Sequence, residues 1–168
     1  YDEGQEPGDN FSDEQILRKL NIIKPYIKWI RTFSCTEGNE RIPVLAKELG
    51  LKTLVGAWLS DDKLTNEKEI NGLISLCKSG HVDVAGVGNE VLYRKEMSET
   101  ELIDYINLVK KEIGDVPAGY VDAYYEFSAR PNLADSCDVI LANCYPYWEG
   151  CSLEYSLMYM NCLLYTSP

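Results

Sequence analysis

The sequence predicts an α/β fold built on a parallel sheet, and three observations lead there. Apolar segments of strand length recur at intervals of about 20–35 residues, the size of one βα unit with its loops. The stretches between them carry apolar residues at the i, i+3, i+4, i+7 spacing of a helix with one buried face. Strand and helix alternate strictly, which calls for parallel strands. A doubly wound sheet and a (β/α)8 barrel both satisfy this order. No GxGxxG or GxxxxGK(S/T) loop follows any strand, and Gly86-Val-Gly88 is too short to count, which weakens the nucleotide-binding version.

Taken in order, residues 1–11 read as loop, with two Gly, one Pro and many polar groups. Ser12 with Gln15 forms a capping box for a helix that buries Ile16, Leu17 and Leu20. Tyr26–Phe33 alternates and is rich in aromatic and β-branched residues, so it reads as a strand, with Arg31 and Phe33 on one face near its end. Gly38–Leu49 is a helix with Pro43 in its early turns and Gly50 placed to end it. Lys52–Ala57 is the next strand, followed at once by Trp58. Asn66 with Glu69 reads as a further helix start, ahead of Ile70, Leu73, Ile74 and Cys77. A strand over about residues 82–87 then delivers Asn89 and Glu90. Ser98 with Glu101 caps a helix that presents Leu102, Tyr105, Ile106 and Val109 and stops at Gly114. Val116–Asp122 is a strand, Tyr124–Asp135 is partly helical, and Asp138–Tyr145 is the last clear strand. Beyond Leu157 the pattern is lost. Residues 161–168 are expected to be a non-native or disordered tail beside a unit spanning 1–160.

Composition narrows the function classes. The 168 residues carry a formal net charge of -11, which argues against nucleic acid or an anionic membrane surface as partner. No run of 18 apolar residues is present, so no membrane segment is expected. The six cysteines form no CxxC pair, and His81 is the single histidine. A zinc site is therefore not expected, nor any cofactor, and the cysteines read as free thiols. A Ser-His-Asp or Cys-His site would have to use His81, which lies at a strand start.

In a barrel, the C-terminal strand ends form the active face. Here they read Arg31 and Phe33, then Trp58, then Asn89-Glu90, then Asp122, then Tyr145 with Trp148. Singly, each has a plain alternative: Trp58 as a core cap, Arg31 as an ion-pair partner, Glu90 as a loop carboxylate. Together they suit a neutral sugar, whose CH faces stack on rings and whose hydroxyls take hydrogen bonds from amides and carboxylates.

The residues also carry a family resemblance. Glu3-Gly-Gln-Glu-Pro7, Ile30-Arg-Thr-Phe33, Gly50–Leu59, Asn66-Glu-Lys-Glu-Ile70, Val87–Arg94 and Tyr145-Pro-Tyr-Trp-Glu149 recur in the order seen in glycoside hydrolase family 17. The chain resembles that β-1,3-glucanase family, in particular its bacterial branch, over about residues 3–155. The resemblance implies strands two to six of a (β/α)8 barrel with their helices. It implies that Glu90 is the general acid/base, that Asn89 holds the sugar 2-hydroxyl and the nucleophile, and that Tyr145 lies close to the reacting sugar. A β-glucan is then the expected partner.

The resemblance further implies a nucleophilic Glu in a Gly-Glu-Thr-Gly-Trp-like turn after strand seven, which this sequence does not contain. Glu126, Glu149 and Glu154 are rejected as substitutes because they follow strands five and six without such a turn. Retaining hydrolysis proceeds by two-step displacement between carboxyls about 5–5.5 Å apart. Residues 1–168 alone are therefore expected to be inactive, with unpaired sheet edges at strands two and six. A β-glucan transglycosylase and a non-catalytic carbohydrate-binding barrel remain alternatives.

Overall fold

The computed structural model describes residues 4–5 and 11–166. Glu3–Pro7, apart from Gly4 and Gln5, lies outside the described residues. So does the end of the expected tail, 167–168.

Five strands form one parallel sheet in the order β1-β2-β3-β4-β5: β1 Trp29–Thr32, β2 Lys52–Ala57, β3 Val84–Asn89, β4 Ala118–Ala123 and β5 Leu141–Asn143. The helices between them are α2 Arg41–Glu48, α3 Lys63–Lys78, α4 Glu99–Glu112, α5 Tyr124–Ala129 and α6 Pro131–Ser136. Helix α1, Asp13–Ile23, precedes the sheet, and α7, Ser156–Thr166, follows it. Because strand order equals sequence order, each crossover moves the chain one strand along the sheet, and the sheet curls as part of a (β/α) barrel.

Local chemistry explains most of the helix boundaries. The Ser12 hydroxyl accepts from the Gln15 amide and the Ser98 hydroxyl from the Glu101 amide, as the capping patterns predict. The expected start at Asn66-Glu69 is corrected. Helix α3 begins at Lys63 because Asp62 caps it, accepting from the Leu64 amide. Asn66 and Glu69 then fall inside the helix, both buried, with side chains turned to the loops above the sheet. The first strand is shorter than expected. Pro25 starts a 3-10 turn over Lys24–Tyr26, and Tyr26 is 86% exposed, so its aromatic ring signals no burial. The last strand also shrinks, to three half-buried residues. Residues 161–166, expected as part of a tail, continue helix α7.

The main core lies between the outer face of β2–β4 and helices α3, α4 and α6, with Leu73, Leu102, Ile106, Tyr120, Phe127 and Leu133 fully enclosed. A smaller cluster of Ile16, Leu20, Leu45, Ala46 and Leu51 joins α1 to α2. At the strand starts one polar device occurs twice. Asp83 exchanges main-chain hydrogen bonding with Thr53, its carboxylate accepting from the Thr53 amide at 2.7 Å, and pairs with Lys47 of α2. Asp138 repeats this with the Ala118 amide and Lys110 of α4. Each aspartate thereby locks a strand start to a strand before it and to the helix preceding that strand. Among the described residues no helix is long and apolar enough to cross a membrane.

Candidate active site

The site forms where β3 breaks register. Pairing with β4 shifts between Gly86 and Asn89, a bulge that turns the strand end. Gly88 has φ +85, which an L side chain rarely adopts, and Glu90 itself has φ +53. A non-glycine residue in this region costs on the order of 1–3 kcal/mol and persists only when its surroundings hold it. Here the Glu90 amide donates to the Val121 carbonyl at 2.7 Å. Its side-chain Oε1 accepts from Asn143 Nδ2 at 2.7 Å and from the Tyr145 hydroxyl.

Those contacts gather residues far apart in the sequence. Arg31 of β1 donates from Nη2 to Asn89 Oδ1 at 2.5 Å. Burial lowers the pKa of Arg31, and the nearby Tyr145 and Glu90 work against that shift. Tyr145 is pushed up to about 12, first by burial, then by its hydrogen bond to Glu90 and the charge there. It therefore keeps its proton and donates it to Glu90 across the neutral range. Asn143 was not among the sequence candidates. It lies two residues before Tyr145, and an amide at that spacing in a strand-end pattern was the available signal.

Two aromatic rings stand on the β1–β2 side, each with a guanidinium against it. Arg31 lies over Phe33 at 4.3 Å, and Arg94 lies over Trp58 at 4.5 Å. Arg94, also missed from sequence, donates to the main-chain carbonyls of Asn89 and Leu59 and pairs with Glu96. On the other side, a cleft of about 470 Å³ is lined by Glu90, Tyr93, Ala123, Tyr125, Tyr145, Trp148 and Glu149. Trp148 stands 80% exposed at its rim, edge-on to Tyr147. Glu149, set aside in the sequence reading, does line this cleft, and it accepts a hydrogen bond from Tyr159 of α7.

Asp122 is the correction among the candidate residues. It is 0% exposed, and its carboxylate accepts from the Tyr120 hydroxyl and the Ala123 amide. Tyr120 in turn accepts from the Leu92 amide at 3.0 Å. Asp122 thus braces the turn after β3 from beneath, and no ligand can reach it. Burial raises its pKa, against the hydrogen bonds it accepts. His81 lies before the start of β3, with Nδ1 against Ser79 Oγ at 2.8 Å, far along the strand from Glu90. Among the described residues no disulfide joins the cysteines, and burial pushes Cys77 up to about 12. Among the described residues no group of three His, Cys, Asp or Glu could hold a metal ion.

A curled parallel βα sheet with a clamped carboxyl and an aromatic cleft at its C-terminal strand ends defines part of a (β/α)8 barrel of the glycosidase type. The chain belongs to the BtgE/BtgC glycoside hydrolase domain family, whose model matches residues 1–161. It is 28% identical over 150 residues to a Schizosaccharomyces pombe glucan 1,3-beta-glucosidase, covering 82% of this chain and 47% of that protein. It is 30% identical over 160 residues to a probable glucan endo-1,3-beta-glucosidase btgC of Aspergillus terreus, covering 85% of this chain and 24% of that protein. Among solved structures, an active-site mutant of Rhizomucor miehei beta-1,3-glucanosyltransferase in complex with laminaritriose superposes with a TM-score of 0.84 at 25% identity. That match covers 96% of this chain and 62% of the other. The unmutated enzyme, described as a glycoside hydrolase family 17 member, gives a TM-score of 0.83. The chain spans about half the length of the first curated relatives it matches. These relatives are fungal, and they give no support to the bacterial placement.

Proposed function

We propose that this chain carries the acid/base side of a retaining glycosidase site for β-1,3-glucan, with the glycosidase unit in residues 1–160. The observation that carries the reading is Glu90: held at φ +53 by its main chain, with two neutral donors on Oε1, at the edge of an aromatic cleft. Asn143 and Tyr145 occupy one oxygen and leave Oε2 for the proton that is passed to the glycosidic oxygen. After the first displacement the same oxygen takes a proton from water. Asn89 spends its carbonyl oxygen on Arg31, which leaves its Nδ2 to donate to a sugar hydroxyl. Phe33, Trp58, Tyr145 and Trp148 offer ring faces to the sugar CH groups.

The test is cleavage of β-1,3-linked glucose oligosaccharides by the protein in its natural full length. Glu90→Gln is expected to lower kcat by about 10²–10⁴-fold, the range for removing a general acid/base, while oligosaccharide affinity is kept. Unchanged turnover in that variant would refute the assignment. Binding without any turnover in the unmutated protein would favour a non-catalytic carbohydrate-binding barrel.

Glucan transfer is the second reading, favoured by the solved neighbours named as glucanosyltransferases. In it Glu90 takes its proton from a sugar hydroxyl instead of water. Longer oligosaccharides accumulating at high substrate concentration would mark it.

A further inference from the structure

Glu69 takes no part in the chemistry above, yet it is a 1% exposed carboxyl in the middle of the fold. Burying such a group is costly unless its oxygens are satisfied. Its Oε1 accepts from Ser34 Oγ at 2.6 Å and Thr36 Oγ1 at 2.5 Å. Its Oε2 accepts from the Cys35 amide at 2.8 Å and the Trp58 amide at 3.0 Å. All four donors are neutral. They come from two strand-end loops: Ser34–Thr36 directly follows Phe33 at the end of β1, and Trp58 directly follows β2.

Helix α3 comes close enough for this only because residue 72 is glycine. A Cβ there would lie 2.7 Å from the Cys35 carbonyl oxygen. Cys35 also donates from its thiol to the Gly56 carbonyl at 3.2 Å, tying the first loop to β2. The main chain beneath Phe33 and the main chain beneath Trp58 thus converge on one carboxyl. Their rings are held separately, by Arg31 and Arg94.

We propose that Glu69 is a positioning residue, which sets Phe33 and Trp58 in register as a paired ring platform for adjacent glucosyl units on the β1–β2 side of Glu90. The inference rests on reading the cleft as a glucan site. It assigns Glu69 a role in substrate placement through hydrogen-bond geometry rather than charge.

The geometry makes glutamine a conservative replacement. Its oxygen can serve the two amides, while its NH2 faces the Ser34 and Thr36 hydroxyls, which rotate to accept. Leucine serves neither loop. Aspartate is one methylene too short to serve both. The full-length protein carrying fluorotryptophan reports Trp58 beside Trp29 and Trp148 by fluorine NMR, and titration with a β-1,3-linked glucose pentasaccharide reports affinity.

Glu69→Gln should keep affinity and the Trp58 resonance. Glu69→Leu should weaken binding about tenfold, which is about 1.4 kcal/mol, and should shift or broaden Trp58 alone. Glu69→Asp, which serves as the check should the leucine variant fail to fold, should fall on the leucine side. Adding Trp58→Ala to Glu69→Leu should cost less than the two single losses combined. An unmoved Trp58 resonance in the leucine and aspartate variants, with Trp58→Ala still weakening binding, overturns the role of Glu69. A glutamine variant as impaired as leucine overturns it too. Full affinity in Trp58→Ala overturns the platform, whereas no pentasaccharide binding by the unmutated protein overturns the glucan reading.

Discussion

Trp58 and Trp148 both stand at strand ends beside Glu90, one on each flank, and they are held differently. Trp58 is 36% exposed, its amide bound to Glu69 and its ring backed by Arg94. Trp148 touches Tyr147, and both rings are mostly exposed. The strands beneath differ in the same way. Strand β2 is buried along most of its length under α2 and α3, whereas β5 has three half-buried residues. Leu153, Leu157 and Met158, beyond β5, lie largely in solvent. The comparison teaches that one buried carboxyl of α3 ties the β1–β2 side of the site together. Under β2, a helix seals the outer face and its buried carboxyl anchors the strand-end loop, whereas on the β5 side Tyr145 is tied to Glu90 itself.

The largest expected effect separates the flanks by stability. Leu73→Ala, in the core under β2 and β3, should cost about 2–5 kcal/mol in denaturant unfolding. Leu153→Ala should stay within about 0.5 kcal/mol, as surface changes do. Equal costs would erase the distinction.

A finer cut uses the repeated aspartate device, since one copy lies in the covered region and the other borders β5. Asp83→Ala should cost about 1–3 kcal/mol, because it orphans the Thr53 amide and Lys47. Asp138→Ala should cost less, its carboxyl being the more exposed of the two. In both, burial raises the pKa, but the lysine and the amide outweigh it and hold the carboxyl below its ordinary 3.8. A lowered folded value means a contribution that is full above 3.8 and is lost as the pH falls through the folded value. Each alanine variant should therefore converge with the unmutated protein in acid. A gap that stays constant down to pH 2 would contradict that assignment.

The smallest effect has the opposite sign. Asp122 has a raised pKa, chiefly from burial, so its contribution is full below its ordinary 3.8 and is lost as the pH rises through the folded value. The unmutated protein should lose ground to Asp122→Asn as the pH climbs from acid toward neutral, read by thermal unfolding across that range. A gap that narrows instead would show that the hydrogen bonds from Tyr120 and Ala123 outweigh burial.

Local signals carried much of the fold. Ser12 and Ser98 cap helices where the pattern placed them, because a cap needs only residues three apart. The same logic misled at Asn66-Glu69. Asp62 had already started the helix, and an Asn-x-x-Glu pattern inside a helix looks identical to one at its start. Strand ends were overextended at Tyr26 and Tyr145 because ring-rich residues mark both buried strands and solvent-facing clefts. Helix α7 is apolar nearly all round rather than along one stripe, so no periodicity announced it. At the site, Glu90, Asn89, Arg31 and Tyr145 were legible as strand-end chemistry, and they do converge. Asp122 sat on the same list and lies beneath the surface, since alternation alone does not say which strand end is covered.

The sequence by itself determined the alternation of strand and helix, hence a parallel sheet, and the set of polar and aromatic residues at its C-terminal edge. Both follow from periodicity and from caps, which act over a few residues. Only the tertiary structure decided which of those residues meet. Asn143 reaches Glu90 across 53 positions, and Glu69 reaches back to Ser34 across 35. The left-handed backbone of Glu90 depends likewise on a bulge against β4. These contacts depend on how the sheet curls and how closely α3 approaches it, quantities that no window of local sequence contains.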